Sequence, residues 1–90
     1  MYENLPIQAL GVNGEVAGAY RGDKFQSVPN GTADRDEILG RVFLDTDAGP
    51  VAIWGDASVF HKIRALDLSD GDQITITRFS DDSYRVLRHG

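Results

Sequence analysis

Between residues 38 and 88 most segments separated by turns carry apolar side chains at every second position, and one segment departs from that rhythm. Alternation of this kind puts successive side chains on opposite faces of an extended strand. Over residues 38–44, Ile38, Gly40, Val42 and Leu44 share one face, and Leu39, Arg41 and Phe43 share the other. Residues 51–54 set Val51 and Ile53 against Ala52 and Trp54. Residues 73–79 turn Ile74 and Ile76 inward and Thr75, Thr77 and Phe79 outward, and residues 84–88 form a last strand. The break covers residues 57–68, where Val59, Phe60, Ile63, Leu66 and Leu68 fall at helical spacing. Asp56 stands before them as a helix N-cap, its carboxylate available to free backbone amides. The pattern predicts a β protein with one helix inserted late.

Turn residues separate these segments. Residues 45–50 (Asp-Thr-Asp-Ala-Gly-Pro) join two strands into a hairpin; residues 69–72 and 80–83 make two further turns. Upstream, residues 12–25 are glycine-rich with scattered apolar positions, which suits a strand that bulges or coils at a barrel corner. Residues 27–36 read as a loop, and residues 1–11 as an arm or an additional strand of a single domain, 1–90. The order is strand, strand, strand, helix, strand, strand. Five strands with a helix between the third and fourth is the order of the OB-fold, a Greek-key barrel. Closure would also remove the edges a small β protein must protect. An SH3-like barrel shares the strand number but usually lacks a full helix before the fourth.

Composition narrows the function classes. With 90 residues, 41% of them hydrophobic, the chain supports one core. It has no cysteine, which removes disulfides and thiolate metal sites. No apolar run reaches membrane-spanning length and residues 1–10 lack the marks of a secretory signal, so the expected location is the cytoplasm. No phosphate-binding loop, dinucleotide fingerprint or nucleophile elbow occurs, so no enzyme and no cofactor are expected. His61 and His89 have no partner at ligand spacing. Asp45, Asp47 and Asp56 lack the remainder of a calcium loop, so no metal is expected.

The stretch 49–60, Gly-Pro-Val-Ala-Ile-Trp-Gly-Asp-Ala-Ser-Val-Phe, resembles OB-folds of the replication protein A type. There a strand ending in Trp-Gly-Asp/Glu runs into a helix beginning Ala-x-x-Phe; here these are Trp54, Gly55, Asp56, Ala57 and Phe60. Residues 68–76 are similar to the family's approach to its fourth strand, so the resemblance spans 38–86, a little over half the chain. The family's first strand and following loop are not recognisable, and its zinc-ribbon insertion is absent. The resemblance implies single-stranded DNA binding, in replication, repair or recombination, with Trp54 as the stacking residue and Phe79 as a second.

Read as residues, several of these positions have two uses. Trp54 is a base-stacking platform on an outer face, or a plug at one end of the core. Phe43, with Arg41 beside it, extends that platform, or enters the core if the register slips by one. Phe79 and Arg78 end a strand and point outward, unless a bulge turns Phe79 in. Tyr20, Arg21, Lys24 and Phe25 supply aromatics interleaved with cations from the first loop region, and Arg85 adds a cation near the C-terminus. The net charge of −5 opposes nucleic-acid binding unless the nine Lys and Arg residues gather on one face. The alternative is an acidic protein-interaction module or inhibitor, a subunit of a larger complex or a homo-oligomer, with Trp54 as its anchor. Cations clustered around Trp54 favour the first reading; carboxylates around it favour the second.

Overall fold

The computed structural model describes residues 2–29, 37–81 and 83–89. A 3-10 turn, Tyr2–Asn4, is followed by β1 (Ile7–Gln8), β2 (Glu15–Val28), β3 (Glu37–Thr46), β4 (Gly49–Asp56), α1 (Ala57–Leu66), β5 (Gln73–Ser80) and β6 (Ser83–His89). All six strands join one sheet in the order β1-β4-β3-β2-β5-β6. The long neighbours pair antiparallel, and β1 pairs parallel with β4. The loop expected over 27–36 lies largely outside the described residues; Ser27 and Val28 belong to β2.

The sequence reading predicts five strands closed into a barrel. The structure is mostly β with one α-helix among the described residues, as that reading expects, but these form six strands and their ladder stays open. The reason lies in the arm. Ile7 and Gln8 pair with Ala52 and Ile53, so β1 takes the β4 edge that a closing strand would use. The two sheet ends are then bridged by other contacts. Arg78 Nη1 on β5 donates to the Leu10 carbonyl, just past β1, at 2.6 Å. Trp54 on β4 and Tyr84 on β6 approach to 6.4 Å between ring centroids. Helix α1 packs against β3, β4 and β6.

The inner face carries the core: Tyr20, Val42, Leu44, Ile53, Ile74, Ile76, Tyr84 and Val86, with Val59 and Ile63 of α1 laid across it. Helix α1 starts where the sequence places it. Asp56 Oδ1 accepts from the amides of Ser58 (2.9 Å) and Val59 (3.3 Å), which satisfies donors that the first turn leaves free. Gly55 is needed beside it: a Cβ there would stand 2.9 Å from Cβ of Val59, so only glycine lets the helix cross so closely. The helix ends at Asp67, in the left-handed region at φ 50°, earlier than the predicted 68.

The glycine-rich segment does bulge. Tyr20 pairs with Leu44 and Asp23 with Val42, so β2 gains one residue over β3 at Arg21–Gly22, where Gly22 has φ +108°. An extra residue reverses the alternation beyond it. Strict alternation from buried Tyr20 would send Lys24 inward and Phe25 outward; the bulge does the opposite.

Candidate nucleic-acid interface

Two ladders meet on β3. Lys24 pairs with Arg41 across β2–β3, and Arg41 pairs with Trp54 across β3–β4. Directly opposed residues of an antiparallel pair share a face, so Lys24, Arg41 and Trp54 form one row across three strands on the outer side, about 5 Å apart. The next outer row is Gln26, Leu39 and Asp56; on the other side lie Phe43, Ala52 and Ile7. Lys24, Arg41 and Trp54 line an open groove of about 180 Å³ together with Gln26, Leu39 and Ile7. A second concavity of about 310 Å³ adjoins it at Ile7 and Trp54 and reaches Ala9 and Arg78. Among the described residues neither is lined by an aspartate or glutamate, in a chain with 14 of them.

The cations of the row are free of carboxylates. Among the described residues Lys24 and Arg41 enter no ion pair, whereas Arg21, Arg64, Arg78 and Arg88 each do. Arg41 lies 5.8 Å from the centroid of the Phe43 ring, a cation–π distance. Two like charges directly opposed on a sheet destabilise it, so the pair Lys24–Arg41 is a positive field that no carboxylate among the described residues neutralises. The nearest carboxylate of the flanking row, Asp56, faces the amides of α1. Trp54 is half-buried: it packs against the core by Tyr84 and presents the rest of its surface to the groove.

The other residues singled out in the sequence do not join this row. Phe43 points to the outer face, as the alternation predicts, but is 6% exposed, because Tyr2 covers it at 6.0 Å between ring centroids. The Tyr2 hydroxyl donates to Asp45 Oδ1 at 2.6 Å, which anchors that cover. Tyr20 is a core residue, not a stacking one, and its hydroxyl donates to Asp23. Burial first, and Asp23 second, push its pKa up to about 12. Phe25 is turned inward by the bulge and meets Phe60 edge-on at 5.3 Å. Arg21 bonds Asp45 through Nε (2.8 Å) and Asp70 through Nη1 (2.9 Å). The Tyr2 hydroxyl, then Arg21, hold Asp45 below the ordinary 3.8.

Arg78 is a clamp. Its guanidinium donates to the carbonyls of Leu10, Ser80 and Asp81, pairs with Asp81, and lies 5.7 Å from the Tyr84 ring centroid. With 18% of its side chain exposed, it holds the arm to β5. Phe79 is exposed, as alternation predicts, on a bulge between Arg78 and Ser80. Arg85 stacks on it at 5.1 Å, on the β2–β5–β6 side of the sheet. Sequence reasoning omitted Gln26 and Ile7 from the site. Gln26 was findable, two positions from Lys24 on the same strand; Ile7 was not, because the arm has no periodicity.

No group of three or more described His, Cys, Asp or Glu residues could hold a metal ion, and no described helix is long and apolar enough to cross a membrane. No family model, no curated protein and no solved structure matches this chain.

Proposed function

We propose that the chain is an OB-type domain that binds single-stranded DNA at the row Lys24–Arg41–Trp54. The OB assignment rests on the five long strands, whose order is β4-β3-β2-β5-β6, with α1 between β4 and β5. The functional reading is carried by one observation: two opposed cations, unpaired among the described residues, share a row with the only tryptophan, in a groove that no described carboxylate lines. A base stacks on the indole, which contributes about 1–3 kcal/mol, and two neighbouring phosphates lie one against Lys24 and one against Arg41 and relieve their repulsion. Discrimination among sequences is weak, because every base has a π-face.

Trp54 fluorescence tests this during titration with a short oligothymidine. The expected result is quenching at low salt that added salt reverses, with a log–log salt slope of about −1.4, from two phosphates at about 0.7 each. An unchanged spectrum at micromolar protein in low salt contradicts the proposal.

A further inference from the structure

The outer face of β2, β5 and β6 lies outside the groove and is built differently. Its rows are read from the ladders: Glu15–Thr77–Arg85, then Ala17–Thr75–Leu87, with Phe79 standing out at the bulge next to the first. Phe79 is 45% exposed and Leu87 43%, so two large apolar side chains on this one face stand in water. Among the described residues Arg85 has no carboxylate partner; it rests on the Phe79 ring. Glu15 accepts from the Thr77 hydroxyl through Oε2 at 3.0 Å. One anion and one cation therefore flank a central threonine, on strands either side of β5.

That arrangement is its own complement. We propose that a second copy of this chain covers the face, related by a two-fold axis running along β5. Such an axis lays β2 of one copy over β6 of the other. Glu15 then faces Arg85 of the second copy, and Arg85 faces its Glu15, as an isologous interface requires. Leu87 comes over Ala17 of the second copy, and the two Phe79 rings meet near the axis. The geometry is a face-to-face sheet sandwich, about 10 Å between sheets, in which these side chains fill the space. The same row argues against a nucleic-acid strand on this face, because Glu15 would oppose its phosphates. The interface stands whether or not the groove binds DNA.

Sedimentation equilibrium between micromolar and millimolar protein, on the whole chain, tests the interface. The expected species is a dimer of the 9.9 kDa chain. Glu15→Arg alone and Arg85→Glu alone each turn two attractive pairs into two repulsive ones and weaken dimerisation about tenfold or more. The double exchange Glu15→Arg/Arg85→Glu keeps the net charge at −5 and restores dimerisation to within a few-fold of the parent. Thermal melts of all variants check that each is folded. A monomer throughout the range overturns the proposal. So does a dimer that ignores both single reversals, or one that the double exchange fails to restore.

Discussion

On the β2–β3–β4 face an indole stands beside two cations and no described carboxylate lines the groove; on the β2–β5–β6 face a phenyl ring stands under one arginine with Glu15 in the same row. Aromatic and basic residues are common to both. What separates them is where the carboxylate falls. Without one, the first face is left with two like charges side by side, which is the basis of the proposed anion site. With one, the second face matches a rotated copy of itself. An acidic chain can thus carry a cation-only groove, because net charge counts residues and a ligand meets rows.

The largest effect expected is a split between the two aromatic residues. Trp54→Ala should weaken oligothymidine binding by the stacking contribution, about 1–3 kcal/mol or roughly 5-fold to 150-fold, read by anisotropy of a labelled oligonucleotide. Phe79→Ala should leave that affinity within about twofold. Equal losses from both would dissolve the distinction between the faces.

A second contrast separates free cations from paired ones. Lys24→Ala and Arg41→Ala should each flatten the salt slope by about 0.7. Lys24→Gln should also raise the stability of the unliganded protein by a few tenths of a kcal/mol up to about 1, since it removes an opposed like charge. Arg78→Ala should leave the salt slope alone and lower the melting temperature, because it frees the Leu10 carbonyl and with it the arm. A fall in slope with Arg78→Ala would move the site toward Ala9 and the second concavity.

Much of this was legible in the sequence, for physical reasons that can be named. The single break in alternation located α1, and Asp56 located its first turn, because capping is local chemistry. The tight turn at residues 47–48 fixed the β3–β4 register, so that Arg41 and Phe43 fell on the Trp54 side. The rest was hidden by contacts remote in sequence. Tyr2 reaches Asp45 over 43 positions and Arg78 reaches Leu10 over 68; no local pattern signals either. One inserted residue at Arg21–Gly22 exchanged the faces of Lys24 and Phe25, and glycine content announced a bulge without saying where it sits.

The ionisable residues supply a further contrast, at the two ends of the pH scale. Tyr20 has its pKa raised from 10 to about 12, so the neutral phenol's contribution is complete below pH 10 and disappears as pH rises through about 12. Alkaline unfolding followed by phenolate absorbance should coincide with that window. Asp45 has its pKa lowered from 3.8, so the contribution of its carboxylate is complete above that value and is lost as pH falls through the lower, folded one. Loss of the Tyr2 contact there should uncover Phe43 while the core remains folded, a change visible in its ring NMR signals.

The smallest effect concerns the gap between the sheet ends. Among the described residues the buried Tyr84 hydroxyl finds no hydrogen-bond partner. Tyr84→Phe should therefore be neutral or stabilising by up to about 1 kcal/mol in thermal melts. A clear loss would mean that the hydroxyl has a partner in solution.

Amide chemical-shift mapping with a short oligothymidine reaches the central claim most directly, since it reports where on the sheet the ligand sits. The account predicts shifts concentrated at Lys24, Gln26, Leu39, Arg41 and Trp54, fading as salt is added, with Phe79, Arg85 and Leu87 unmoved. Shifts confined to β5 and β6, or none at saturating oligonucleotide, would contradict it.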